Sequence, residues 1–406
     1  DLPGRVRLPV PDTVHPDGLF LAADPGAAPN AVGDPFPAWM YRGSLPGPTL
    51  RVRSGERARV VLQNDLPEET ITHWHGLDVP EAADGHPRLA VSPGESYVYD
   101  FTVRDRAGTY WYHPHPHGRT GLQTYRGLAG FLIVDDEEDG ALGLPTGNRE
   151  IPLVIQDKRL DSTGAPVYQP FGPDLMLGYL GDTPFVNGAP FPFTGVDRAL
   201  YRLRILNGSN ARIYDLALSD GQPLVLIGTD GGLLETPEAL ASIFLGPAER
   251  VDVLIDFSTH RPGDRVILRS RPFQIPGGMG MGGFGAGQGQ AMDLMEFVVR
   301  DVPADPDSVP GALGVLPPTP AIQGARRQTF QFTSMMARHF INGRTFEMDR
   351  VDTQVPLGDT EVWRFTNTSP MPHPVHMHAG QFRVLSRAGG RKRVFPWEGG
   401  LKDTVL

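Results

Sequence analysis

LRVRSGERARVVL, from Leu50 to Leu62, alternates apolar and polar residues on both sides of a Ser-Gly-Glu turn. That period of two sets one face of a strand inward and the other outward. PGESYVYDFTV (Pro93 to Val103) repeats the pattern, and GTYWYHPH (Gly108 to His115) and GLAGFLIV (Gly127 to Val134) follow as short runs rich in aromatic and branched residues. Runs of this length bounded by turn residues read as successive strands of one β-sandwich.

The rest of the chain has the same texture. Its 41 Pro and 49 Gly lie between many short apolar runs, and long amphipathic helical patterns are scarce, so the class expected is all-β. A length of 406 residues implies about two to four units of ordinary domain size. The formal net charge of -10 argues against a nucleic-acid binder, which needs basic clusters to neutralise phosphates. Gly127 to Val134 is the longest apolar stretch, far short of the roughly 20 residues that span a bilayer as a helix. No signal peptide is visible, and a numbering that opens on Asp1 rather than Met suggests that a leader or tag has been removed; export to the periplasm, the medium, or the spore or cell surface is the expectation. Zero Cys excludes disulfides and thiolate metal sites within these residues.

Punctuation divides the chain. The acidic DDEEDG (Asp135 to Gly140), read as a loop, and the following LGLPTG close a first unit, 1–147, before IPLVIQD restarts at Ile151. A second unit, 148–301, carries YRLRILNGSN (Tyr201 to Asn210), PLVLIGTDGG (Pro223 to Gly232) and RVDVLIDF (Arg250 to Phe257). Val302 to Pro320, VPADPDSVPGALGVLPPTP, reads as part of an extended, Pro-stiffened linker, 302–325, rather than a packed element. The third unit, 326–406, shares with the first a Gly-Glu or Gly-Asp turn (Gly55, Gly358), a strand ending in Asn (VVLQN, VWRFTN) and then an H-x-H cluster, which points to duplicated modules.

Twelve His in 406 residues give roughly 0.35 chance pairs at spacing i, i+2. The sequence has four: His73/His75 in HWHG, His113/His115 and His115/His117 in HPHPHG, and His376/His378 in HPVHMH. Residues i and i+2 of a strand project from one face about 6 to 7 Å apart, a spacing that serves two neighbouring metals more readily than one. Imidazoles without carboxylates in the motifs favour copper over Mg, Ca or Mn. A lone His is ordinarily a surface or hydrogen-bonded residue; three clusters together outweigh that reading, and leave as a second alternative a copper or zinc site without catalysis.

HWHG, WYHPHPHG followed by YRGLAGFLIV, NGSNAR, and HPVHMH followed by QFRVLS resemble the multicopper oxidases, nearest in character to bacterial laccases, spore-coat laccases and cuprous oxidases. The resemblance runs over nearly the whole chain. It implies three cupredoxin-like Greek-key β-sandwich domains, the third incomplete, and four copper ions: one type 1, one type 2 and a type 3 pair. By the same resemblance His73 goes to type 2 and His75 to type 3 copper, His113 and His115 to the type 3 pair, and His373, His376 and His378 in turn to type 1, type 2 and type 3. It implies that His373 shares a strand with His376 and His378. The remaining ligands sit in the family on an H-C-H segment, so the working protein is expected to continue past Leu406.

The resemblance further implies oxidation of phenolic or aromatic-amine donors coupled to four-electron reduction of O2 to water, by a monomer. Asp84, nine residues after His75, matches the position of a proton-relaying acid; a turn Asp before Gly85 is the plainer reading. Met279, Met281, Met292 and Met295, read as one Gly-rich loop (276–295), raise a rival activity on Cu(I), or on Mn(II) or Fe(II), since thioethers select Cu(I). The rival from another class is a non-catalytic cupredoxin-fold protein, a kind that usually loses these histidines. His117 has no ligand role by this mapping, and His15, His86, His260 and His339 read as surface residues.

Overall fold

The computed structural model describes residues 6–29, 35–275, 287–305, 307–335, 338–369, 371–389 and 392–406. The architecture is all-β. The first sandwich sets a five-stranded sheet, ordered Thr13–Val14, Thr49–Arg53, Gly130–Asp135, Gly108–Pro114, Thr72–His75, against a four-stranded sheet, Phe36–Tyr41, Asp17–Ala28, Arg57–Asn64, Ser96–Thr102. Alternation drives the packing. Val60, Leu62, Tyr99 and Phe101 from the second sheet meet Leu50, Val52, Trp74 and Leu132 from the first in one buried core, while Arg57 and Asp100, on the opposite pleat, pair in solvent. Each such apolar side chain removed from water contributes roughly 1.5–3 kcal/mol.

The second sandwich combines an eight-stranded sheet centred on Glu150–Leu160, Leu200–Asn207 and Arg250–Asp256 with a five-stranded sheet running from Phe193–Val196 to Ile243–Leu245. Beyond it stand a three-stranded sheet, ordered Arg338–Ile341, Arg326–Met335, Glu361–Asn367, and a two-stranded pair, Val375–His376 with Thr404–Val405.

Ion pairs on buried carboxylates orient these layers. Arg202, in the second sandwich, reaches both Asp252 and Asp139, and Arg51 in the first meets Glu150 at 2.6 Å. The acidic stretch after Asp135 is therefore not a plain loop: Glu137–Gly140 form one helical turn whose Asp136 side chain accepts from the amide of Asp139. Nor is the linker wholly unpacked. Leu313 is buried in the second core and its amide donates to Glu235, because an apolar side chain in an extended segment gains by inserting where a neighbouring sheet leaves room. Met292 and Met295 are likewise not on a loop; they lie within the strand Met292–Val299, buried in the second core. Met279 and Met281 fall outside the described residues.

Candidate metal centre

Strand register assembles the site. Thr72–His75 pairs antiparallel with Gly108–Pro114 so that His73 lies opposite His113, and the amide of His115 donates to Ile71 at 2.7 Å. Alternation turns Trp74 the other way, onto Tyr99 in the core. From the far end of the chain, Val375–His376 pairs with Thr404–Val405, placing His376 opposite Thr404. The result brings six imidazoles together. The His73 ring lies 5.5 Å from His75, 5.4 Å from His113, 5.5 Å from His115, 5.6 Å from His376 and 3.9 Å from His378.

Backbone acceptors settle how these rings face. A carbonyl only accepts, so His73 Nδ1 donates to Asp84 O (2.6 Å), His113 Nδ1 to Pro114 O (2.9 Å) and His376 Nδ1 to Asp403 O (2.9 Å). His378 Nδ1 binds the Asp84 carboxylate at 2.8 Å. His73, His113 and His376, all pushed towards the neutral form, thus keep Nε2 unprotonated. His75 is the reverse: its Nε2 meets Asp403 Oδ1 at 3.1 Å and Thr404 Oγ1 at 3.0 Å, leaving Nδ1 unprotonated.

Lone pairs then oppose one another. His73 Nε2 stands 3.3 Å from His376 Nε2, and His75 Nδ1 stands 3.2 Å from His113 Nε2. Two bare lone pairs at that distance repel unless a cation lies between them. With metal–imidazole bonds of about 2.0–2.1 Å such separations subtend about 105° at one metal, an ordinary coordination angle. His73, His376 and His378, and again His73, His75 and His113, hold their donor atoms within 4.8 Å of one another. His115 adds a buried Nδ1 with no hydrogen-bond partner among the described residues. The donor set fits a cluster of imidazole-bound metals. A third group, His75, His376 and Asp403, is also compact, but Arg250 occupies both Asp403 oxygens, at 2.7 and 2.5 Å, so Asp403 serves beside the metals rather than on them.

Burial holds five of the rings, His73, His75, His113, His115 and His376, in the neutral form that binds metal. It pushes His115 and His376 down to about 3, with neighbouring His73 and His378 adding to the effect. It also lowers His73, and lowers His75 and His113 further. For a base the sign is this: an unfolded His binds its proton near 6.5, the folded one near 3, so between those values the unfolded state holds more protons and stability is lost as the pH falls. The thermal midpoint of the copper-free protein is accordingly expected to drop on acidification from pH 6.5 towards 4, and a midpoint flat over that range would contradict it. Asp84 is lowered as well, but against its burial rather than because of it. Burial raises its carboxyl, but the His378 and His73 ring nitrogens outweigh this and hold it well below the usual range.

His373 stands apart. It lies outside the strand Val375–His376, because Pro372 and Pro374 on either side of it lack the N–H a ladder needs. Its Nε2 meets Ser369 Oγ at 2.8 Å and its ring lies 5.9 Å from Phe332 and 5.8 Å from His339. His117 is exposed, its ring against Phe346. His15 and His339 are exposed as expected, whereas His86 is half-buried and His260 is half-buried against Phe257.

The sequence reading missed Asp403, Thr404 and Arg250. All three are fully buried, and Gly76 shows how close they come: with φ at +95°, a Cβ there would lie 2.4 Å from Asp403 Oδ2 and 2.8 Å from Arg250. The glycine of HWHG is thus required by its neighbours as well as by its backbone. Gly85 does the same for Asp84, since a Cβ on it would meet Thr72 O at 2.2 Å. A charged residue in GGLKDTVL was the available signal.

β-Sandwiches that enclose six convergent imidazoles define a protein built to hold clustered metals. Comparison with known proteins makes the class specific. Multicopper oxidase models match residues 28–139, 156–274 and 319–406. The cell division protein FtsP of Xenorhabdus nematophila is 34% identical, over 98% of this chain and 83% of its own. The multicopper oxidase mco of Staphylococcus aureus is 32% identical, over 90% of this chain and 76% of its own. The solved structure of CueO, a bacterial laccase-like multi-copper oxidase from the lignin-degrading Ochrobactrum sp., superposes with a TM-score of 0.88 at 34% identity, covering 98% of this chain and 90% of that one. The chain belongs to the multicopper oxidase family.

Proposed function

We propose that this protein is a laccase-type oxidase that takes electrons singly from phenolic or aromatic-amine donors and reduces dioxygen to water. The observation that carries the reading is the pair of opposed imidazole lone pairs, His73 with His376 and His75 with His113. That geometry also bears on the non-catalytic alternative: one of the relatives is named for cell division, so likeness alone does not choose, whereas a kept set of neutral, metal-ready rings favours chemistry.

Copper bound among His73, His75, His113, His115, His376 and His378 supplies the one-electron redox steps and the reduction of dioxygen, the family complement being four ions in all. The protein's own part is orientation. Asp84 spans the rings of His73 and His378 and is only partly buried, so we assign it the delivery of protons from solvent towards the cluster. We assign electron entry to His373, which meets Ser369 through Nε2 and has no hydrogen bond at Nδ1 among the described residues. A blue type 1 site also takes a thiolate; none of the 406 residues is Cys, and turnover by these residues alone is not expected. We read the units as 1–147, 148–301 and 326–406, joined by 302–325, and the protein as an exported monomer.

Oxygen uptake by the copper-loaded natural protein tests this. Four phenol molecules are expected to be oxidised per O2, with Asp84→Asn slowing uptake about 10²- to 10⁴-fold at neutral pH. Unchanged uptake in the variant sinks the relay; faster turnover on Cu(I), Mn(II) or Fe(II) than on any phenol favours a metallo-oxidase; no copper uptake at all favours the non-catalytic reading.

A further inference from the structure

Of the rings whose partners are settled above, His75 alone is turned over, and the cause is visible. Its Nε2 is held by Asp403 Oδ1 and Thr404 Oγ1, at 3.1 and 3.0 Å, while Thr404 also donates to Asp403 at 2.9 Å. The same carboxylate is clamped by Arg250 of the second sandwich, and its carbonyl receives His376 Nδ1 at 2.9 Å. Arg250 is fixed in turn by Thr109 O, at 2.8 Å, in the very strand that carries His113. One short segment, Asp403–Thr404, therefore touches a histidine from the first sandwich, a histidine near the end of the chain and an arginine between them.

We propose that Asp403 and Thr404 are positioning residues that select the nitrogen His75 presents to metal, and that through Arg250 they make copper loading at His75 one event with docking of the strand Thr404–Val405 on the second sandwich. This rests on the copper reading above. Without the two acceptors at Nε2, the His75 ring is free to flip through 180° about its Cβ–Cγ bond; Nδ1 then leaves its place 3.2 Å from His113 Nε2, and a metal shared by the two rings loses one ligand. Asp84 lies on the other side of the cluster, against His73 and His378, and is not part of this latch.

Copper titration of the full chain, followed by calorimetry and electron paramagnetic resonance, tests the assignment. Thr404→Val removes one acceptor and leaves the Arg250–Asp403 pair intact, so folding is not at stake. It is expected to weaken the tightest copper binding about 10- to 100-fold, the usual effect of losing an outer partner of a metal ligand, and to reduce the copper-induced rise in thermal midpoint. Thr404→Ser, which keeps the hydroxyl, is expected to restore both. Asp403→Asn should weaken copper further and change the resonance spectrum of whatever copper remains bound, because the ligand set around it is altered. Thr404→Val and Asp403→Asn loading copper like the parent, with an unchanged spectrum, would overturn the proposal and leave the copper reading standing. A parent chain that binds no copper would overturn both.

Discussion

Replacing His73 with Asn is expected to abolish copper loading of the cluster, with affinity falling by more than the roughly 100-fold that loss of an outer partner alone can cost. No other ring in the site has as many close neighbours: it lies within 5.6 Å of five other histidine rings and belongs to two of the three compact donor groups. Asn is shorter and cannot place a nitrogen where Nε2 now faces His376. Folding should survive, since removing a buried ring whose lone pair is repelled by its neighbour relieves the copper-free protein. Elemental analysis after dialysis reads the outcome directly. A variant that retains the parent's copper per chain would refute the placement of the cluster.

Arg250→Met should act on stability rather than on ligands, and strongly. Arg250 is fully buried, pairs with Asp403 and Asp230, and donates to Thr109 O and Ala248 O. Lys402 remains for Asp230, at 3.0 Å, but is shared with buried Glu249 at 3.1 Å, and Asp403 is left as a buried charge with only neutral partners. Breaking one side of a buried pair costs about 3–5 kcal/mol, to be read as a lowered denaturation midpoint of the copper-free protein. The double change Arg250→Met with Asp403→Leu should recover part of that loss, because an apolar pair of similar volume tolerates burial, and yet should not recover copper. A double variant no more stable than the single one would show that the cost lies in packing and not in the stranded charge.

Much of the site was legible because its code is local. Period-two spacing singled out HWHG, HPHPHG and HPVHMH before any fold was known, although only His73 and His75 share a strand, His115 and His378 lying just past the ends of Gly108–Pro114 and Val375–His376, and alternation in Leu50–Leu62 pointed to the sandwich. What stayed hidden depended on partners distant in sequence. Arg250 and Asp403 lie 153 residues apart, and nothing near either one announces the other. Local chemistry also overruled three readings. Pro372 and Pro374 took His373 off the strand of its neighbours, an Asp cap turned an acidic loop into a helical turn, and Met292 and Met295 followed their strand into the core rather than the Gly-rich loop before it.

The rings of His73 and His376 meet across 303 residues, and that separation has a kinetic consequence. Contacts so remote in sequence form late, since the entropy of closing the intervening loop is lost before the contact can repay it. A chain emerging from synthesis exposes HWHG and HPHPHG long before HPVHMH exists, and each is able to catch a metal ion in the wrong company. Copper offered during refolding should therefore slow recovery of native structure, whereas copper offered afterwards should be taken up without penalty. For this protein, the order in which metal and fold arrive decides whether the cluster is built or jammed.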